Sequence, residues 1–197
     1  MIQLGAPYKK DALVAAFSAE HTAVHDFFAS IETATFFSAP DQVWSPAENL
    51  IHLTQSSGPI FLLLTLPRMA LRLRFGKAKQ PSTSLAAVRT NYTQVALAGG
   101  GVASGSYVPS FEETTDAAKQ KILSDWSTLG GKIETALAKW SEADLDKYQA
   151  PHPLLGKMTV RDLMFFTLYH NLHHVNDTQR LLGMNETEWF NPILVDS

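Results

Sequence analysis

Two histidines, His170 and His174, lie four residues apart in a segment whose apolar residues repeat at helical spacing. On an α-helix this spacing places both imidazoles on one face, one turn apart, where they can converge on one ion. The same stripe carries Leu163, Phe166 and Asp177, so we expect it to face protein rather than water. Burying a polar group without a partner costs about 1–3 kcal/mol. The pair therefore indicates either a metal site or a hydrogen-bond network in the core.

A third histidine that could complete a metal site lies much earlier in the chain. His52 falls on one polar stripe with Glu48 and Ser56, at steps of four, within an otherwise apolar segment. Glu48 precedes His52 by one helical turn, so we expect it to accept a hydrogen bond that orients the His52 ring. Asp177 follows His174 by three residues on the same stripe and is the second candidate base or orienting group.

The remaining histidines offer alternatives. His21 and His25 are also four residues apart in a helical pattern, and spacing alone does not rank this pair above the later one. His173 projects about 60° away from the candidate stripe, so we leave it out of the site. His152 lies between two prolines, and we expect it to be solvated unless its loop overhangs the site.

Four long segments have apolar residues at steps of three and four, the pattern of helices packed in a bundle. The second segment starts with Ser-Pro-Ala-Glu, a capping box with proline at the first helical position, and two later prolines predict kinks in it. No segment shows the alternation of a strand, so we expect no sheet. The predicted helices span residues 11–31, 45–72, 114–140 and 159–183.

A long connection, residues 76–111, separates the second and third predicted helices. It contains a predicted short helix over 84–97 and a glycine-rich stretch over 99–105. This stretch lacks the lysine of a phosphate-binding loop, so we interpret it as a mobile loop. Residues 141–158 are predicted to form another loop. The sequence thus predicts an all-α fold: one domain over 1–197, a four-helix bundle with a long crossover between helices 2 and 3 carrying a short extra helix.

Composition excludes several classes of function. The 197 residues are 45% hydrophobic and 18% charged, the balance of a chain with one compact core. The net charge of −3 and the absence of a basic stripe argue against nucleic-acid binding. The chain has no cysteine, which excludes disulfides, a catalytic thiol and cysteine-ligated metal. We expect a cytoplasmic protein without a membrane partner, since no apolar run is long enough to cross a bilayer.

Two segments resemble the DinB-like superfamily: W-S-P-A-E-N-L-I-H-L over residues 44–53 and Y-H-N-L-H-H-V-N-D-T-Q over residues 169–179. The family pattern has one histidine early in the second helix and H-x-x-x-H late in the fourth, which matches His52, His170 and His174. The resemblance implies that these three hold a divalent metal, often nickel or zinc, at an open site in a bundle with a long crossover. Several members form dimers, so a homodimer is also expected.

The resemblance also suggests the chemistry. Members include transferases and isomerases that use small thiols such as bacillithiol, mycothiol or glutathione, and metal-dependent hydrolases. Three imidazoles leave an open position on the ion, where the pKa of a bound water or thiol falls. We therefore predict a metal-dependent hydrolase or thiol transferase that acts on a small molecule. A thiol would be a diffusible cosubstrate, because the chain has no cysteine.

Two other interpretations stay open beside an enzyme. One is a metal-binding or stress-associated protein without turnover, and the other is a plain bundle whose histidines belong to the core. The chain also departs from the family pattern at one position: many members have glutamine three residues after the last ligand, where this chain has Asp177, with Gln179 two residues further on. A carboxylate there could contact the metal or its water.

Overall fold

A computed structural model describes residues 8–98 and 103–185, and its described part is mostly helical, which confirms the predicted all-α class. A π-helical segment, Tyr92–Leu97, follows the fifth helix, and a 3-10 turn spans Gly105–Tyr107. The α-helices in order are α1 Lys10–Ser30, α2 Thr33–Phe36, α3 Pro46–Thr65, α4 Arg68–Phe75, α5 Leu85–Asn91, α6 Asp116–Ala138, α7 Glu142–Lys147 and α8 Val160–Leu181.

The bundle consists of the four long helices α1, α3, α6 and α8. Helix α3 packs against α6 and α8, and α1 packs against the same two helices. The second predicted helix is divided in the structure, because α3 ends at Thr65 and α4 begins after Pro67. Leu66 takes an extended conformation, as residues before proline generally do, whereas Pro59 lies inside α3 without ending it.

The crossover between α3 and α6 contains α4, α5 and the π-helical segment. The predicted short helix over 84–97 is therefore present, with a change from α to π geometry at Tyr92. Helix α5 packs against α8, so the crossover covers part of the bundle rather than extending into solvent. Of the glycine-rich stretch, residues 99–102 lie outside the described part of the chain.

Residues 141–158 were expected to form a loop and the chain to contain no sheet, and both expectations are wrong here. The segment contains α7 and an antiparallel hairpin of β1 Gln149–His152 and β2 Gly156–Thr159, with Gln149 opposite Thr159. Each strand has four residues, too few to produce a recognisable alternation, and a two-stranded hairpin has only edge strands, which tolerate proline. The hairpin leads directly into α8, whose first turn is capped by the Thr159 side chain.

Helix α8 is the most deeply buried element that positions the site. Every residue from Val160 to Leu172 is buried, as are His174 and Val175. A helix buried on all sides is surrounded by other elements, so its polar side chains must find partners inside the protein. His170 and His174 therefore cannot be satisfied by bulk water.

Candidate metal centre

Three of the predicted histidines meet in the centre of the bundle. His52 on α3 and His170 and His174 on α8 are 7%, 6% and 6% exposed. The Nε2 atom of His170 lies 3.3 Å from Nε2 of His52 and 3.2 Å from Nε2 of His174. Within residues 8–98 and 103–185, no other group of three or more histidine or acidic side chains converges in this way.

The spacing of these nitrogens fits one divalent ion. Zinc–imidazole bonds are about 2.0–2.1 Å long, which places two ligand nitrogens on an octahedral or tetrahedral ion roughly 2.8–3.4 Å apart. The measured separations of 3.2 and 3.3 Å fall within that interval. Two of the three nitrogen pairs are therefore already at ligand spacing, and the ligand atoms of all three rings lie within 4.8 Å of one another.

Hydrogen bonds on the opposite side of two rings determine which nitrogen carries the proton. Nδ1 of His52 lies 2.8 Å from the carbonyl oxygen of Tyr107, and Nδ1 of His174 lies 2.8 Å from Oδ1 of Asn49. The Asn49 amide nitrogen donates to the Ser45 carbonyl, so its oxygen is the atom that faces His174. Both acceptors require a proton on Nδ1, which leaves each neutral ring with a lone pair on Nε2.

Hydrogen bonds among the three rings cannot satisfy all three Nε2 atoms. With Nε2 of His52 and His174 unprotonated, His170 can donate its Nε2 proton to only one of them, and the lone pair of the other is left without a donor. Burial in the bundle holds the pKa of His170 and of His174 well below the usual value and lowers the pKa of His52. The rings are therefore neutral near pH 7, the form that binds metal, and a cation would satisfy all three nitrogens.

Asp177 lies behind His174 rather than beside the three converging nitrogens. Its Oδ2 atom is 3.8 Å from Nδ1 of His174 and 3.4 Å from Nε2 of His173, and its Oδ1 atom pairs with Arg180. The predicted position on the histidine stripe is thus correct, but the carboxylate contacts the outer side of the ring. His173, which we left out of the site, is half-buried and reaches this carboxylate instead of the cluster.

Glu48 does not form the expected contact with His52. Its Oε2 atom accepts hydrogen bonds from the backbone N–H of Ser45, at 2.7 Å, and from the Ser45 hydroxyl, at 2.8 Å. These bonds close the capping box of α3, which draws the side chain back toward the helix start. The Tyr107 carbonyl occupies the place at His52 that we expected Glu48 to take.

Two orienting groups were missed from the sequence. Asn49 is three residues before His52 on α3, and a polar side chain on the inward face of that helix was an available signal. The Tyr107 carbonyl is a backbone group of a connecting segment, so its residue type carries no signal at all.

The rival histidine pair on α1 does not converge. His21 is buried, its Nε2 atom bonds to the Trp126 carbonyl at 3.0 Å, and its ring stacks on the Trp126 indole. Burial lowers the pKa of His21 to about 4. His25 is half-buried and contacts its neighbour Asp26. The two imidazoles therefore serve separate structural contacts.

A cavity of about 390 Å³ adjoins the histidine cluster, and both His52 and His170 line it. The β-hairpin forms part of its wall and contributes His152, which is packed against Phe166 and has its pKa lowered to about 4 by burial. The expectation of a solvated His152 is wrong, whereas the alternative of an overhanging segment is correct. Most of the other lining side chains are apolar, among them Ile60, Leu63, Leu66, Phe75, Leu163 and Phe166.

Comparison with protein-family models gives a match to the DinB superfamily over residues 16–177. The chain belongs to the DinB superfamily. The matched region contains all three converging histidines and the two helices that carry them. No curated protein and no solved structure gives a significant match to this DinB-superfamily chain. Among the helices in its described part, none is both long and apolar enough to cross a membrane.

Proposed function

We propose that this DinB-superfamily protein is a metal-dependent enzyme that holds one divalent ion, nickel or zinc, on His52, His170 and His174. The observation that carries the proposal is the convergence of three Nε2 atoms, with those of His52 and His174 at 3.3 and 3.2 Å from that of His170. The hydrogen bonds at Nδ1 leave a lone pair on Nε2 of His52 and of His174. Imidazole nitrogen suits both metals. Three protein ligands leave a position open, which is typical of catalytic rather than structural sites.

The side of the cluster that faces the cavity is where a substrate has access. His52 and His170 line the cavity, whereas His174 is held behind them by Asn49. An ion bound there supplies a Lewis acid that polarises a substrate oxygen and lowers the pKa of a bound water or thiol. The chain itself orients the metal-binding histidines His174 and His52 through Asn49 and the Tyr107 carbonyl. Its apolar side chains surround the substrate in the cavity and exclude water.

Both reaction classes suggested by the sequence remain within the proposal: hydrolysis, and transfer from a diffusible small thiol. Asp177 lies 3.8 Å from His174 Nδ1, so its proposed role is to support that ring from behind. Glu48 is held by the helix cap, and a role as base would require it to leave Ser45. Of the two, Asp177 is therefore the better candidate for a functional carboxylate.

Metal content tests the proposal directly. Protein purified without a polyhistidine tag should contain close to one nickel or zinc per chain by elemental analysis, and His170→Ala or His174→Ala should abolish binding. His25→Ala is the matched control and should retain the metal, because the hydrogen bond of the His25 ring is to Asp26 and not to the cluster. Absence of metal after reconstitution with either ion, or loss of metal in the control alone, would overturn the assignment.

Activity tests the catalytic part. Metal-loaded protein should hydrolyse an activated ester or amide, or couple a small thiol to an electrophile, at a rate that falls on chelation and returns when metal is restored. Stoichiometric metal without turnover in either screen would favour the metal-binding or stress-associated alternative.

A homodimer is also part of the proposal. Met69 and Leu73 on α4 are 73% and 82% exposed, which is unusual for large apolar side chains and would be explained by a partner surface. Light scattering should give twice the mass of one chain, and charged substitutions at these two positions should give the monomer.

A further inference from the structure

The imidazole of His152 has a defined tautomer that sequence reasoning did not anticipate. Its Nδ1 atom accepts hydrogen bonds from the backbone N–H of Leu154, at 3.2 Å, and of Leu155, at 3.1 Å. Both partners are donors, so Nδ1 carries no proton, and in the neutral ring the proton is on Nε2. The hairpin turn thus presents a histidine whose Nε2–H is a hydrogen-bond donor.

This donor has no acceptor in the described protein. The ring lies at the wall of the cavity, with its centroid 4.2 Å from that of Phe166, which in turn stacks on His170 at 5.0 Å. No hydrogen bond from Nε2 to a described residue is formed. Phe166 therefore separates two imidazoles at the cavity wall, one in the candidate metal centre and one with a donor available to a ligand.

The charge of the cavity restricts what it can hold. Among the described residues that line it, none is aspartate, glutamate, lysine or arginine. In the metal-free protein, a carboxylate or ammonium group placed among these apolar walls would lose its hydration without gaining an ionic partner, which is strongly unfavourable. A neutral ligand has no such penalty, and one acceptor oxygen would give the His152 donor a partner.

We propose that the cavity binds an uncharged, largely apolar organic molecule and that His152 selects it by donating a hydrogen bond from Nε2 to a carbonyl or ether oxygen. The bound molecule lies against Phe166, with its other end next to His52 and His170. His152 is thus a specificity-determining residue. The inference rests on the proposed function for what the site does with the ligand, whereas the binding step itself requires no metal.

Binding to chelator-treated protein tests the inference apart from metal and turnover. The probes are benzylacetone, which is neutral with one carbonyl; butylbenzene, which has a similar shape and no acceptor; and hydrocinnamate, which carries a carboxylate. Isothermal titration should show that benzylacetone binds at least about tenfold more tightly than hydrocinnamate, because the anion has no partner in the cavity. Equal affinity for the ketone and the anion, or no binding of the ketone, overturns the inference.

A variant of His152 tests whether its hydrogen-bond donor, rather than the shape of its side chain, determines ligand affinity. In His152→Asn, Oδ1 can accept the two N–H groups of the turn as Nδ1 does, while the donor at the Nε2 position is lost. Benzylacetone affinity should fall about 2- to 10-fold, the worth of one hydrogen bond, and butylbenzene affinity should not fall. His25→Asn, remote from the cavity lining, is the matched control and should change neither. An equal loss of affinity for benzylacetone and butylbenzene in His152→Asn would show that His152 acts only through the shape of its side chain, and would overturn its assignment as a hydrogen-bond donor.

The two proposals fail separately in these experiments. If the chelated protein binds the ketone as expected but takes up no metal, the enzyme proposal fails and the ligand class stands. If the metal is present at one per chain but the ketone preference is absent, only the inference about His152 and the cavity fails.

Discussion

Replacement of Asn49 by leucine tests whether the hydrogen bond behind His174 sets the metal affinity. Asn49 is 2% exposed, and its Oδ1 atom lies 2.8 Å from His174 Nδ1. Leucine has a similar size but no acceptor, so the ring loses the group that holds its proton on Nδ1. The ring then either keeps an unsatisfied buried N–H or moves the proton to Nε2, the atom that must be free to bind metal.

The expected loss of metal affinity in Asn49→Leu can be worked out for each of these two outcomes. An unsatisfied buried N–H costs about 1–3 kcal/mol. Loss of an outer partner of a metal-bound histidine typically lowers affinity about 10- to 100-fold, which corresponds to roughly 1.4–2.8 kcal/mol. The two ranges coincide, so we expect Asn49→Leu to weaken metal binding by that factor. The variant should also lower the stability of the metal-free protein, because Asn49 bonds to the Ser45 carbonyl as well.

Competition with a chromogenic chelator measures the affinity, and two neighbouring variants supply the controls. Asn49→Asp keeps an acceptor for His174 and should retain most of the affinity. Glu48→Gln changes the adjacent residue, whose side chain bonds to Ser45 in the helix cap, and should leave the affinity unchanged. Wild-type affinity in Asn49→Leu, or a larger loss in Glu48→Gln than in Asn49→Leu, would refute the reasoning.

Three further predictions concern stability. In chemical denaturation, Gly130→Ala should destabilise the protein by about 1–3 kcal/mol, because the new Cβ would overlap the His21 ring. The Cβ of Gly131→Ala meets nothing within 4 Å, so this variant should stabilise the protein by up to about 1 kcal/mol. Equal effects of the two variants would contradict this packing. Burial raises the pKa of Glu20 well above its usual 4.5, so the folded state keeps a proton that the unfolded chain loses, and stability falls as pH rises above that value. Glu20→Gln, which can form reciprocal amide bonds with Asn171, should therefore gain stability over the wild type between pH 5 and 8, and a pH-independent difference would count against it. Finally, the melting temperature should be higher with metal than with chelator at pH 7.5. Because burial lowers the pKa of the three cluster histidines, this difference in melting temperature should persist below their usual pKa of 6.5 and shrink only at lower pH. Its disappearance by pH 6.5 would argue against histidine ligation.

The sequence was sufficient for the long helices and for one pair of cluster histidines. Helical periodicity is a local property, so the apolar stripes of the four bundle helices could be read directly. The spacing of His170 and His174 likewise fixes their shared face on α8. The choice of His52 over the pair on α1 was different, since it depended on the family resemblance. Spacing within one helix does not determine which histidine of another helix it meets.

The cavity side of the site could not be predicted because its parts are non-local. The hairpin that carries His152 consists of two four-residue strands, and its placement depends on packing against α8. The roles of Gly130 and Gly131 likewise could not be predicted from local sequence. A glycine pair in a helix predicts local weakening, but only the packed structure shows that Gly130 makes room for His21 while Gly131 does not have this role.

The arrangement of partners around the cluster separates metal affinity from ligand choice. Asn49 and the Tyr107 carbonyl hold the rings of His174 and His52 through Nδ1, so changes at these contacts are expected to act on the metal. On the cavity side, Phe166 lies between His170 and His152, and the hydrogen bonds of His152 go to its own turn rather than to the cluster. Asn49 and His152 have no partner in common, and residues without a shared partner usually make independent contributions. We therefore expect a substitution of Asn49 to act mainly on metal affinity and a substitution of His152 to act mainly on the choice of bound molecule.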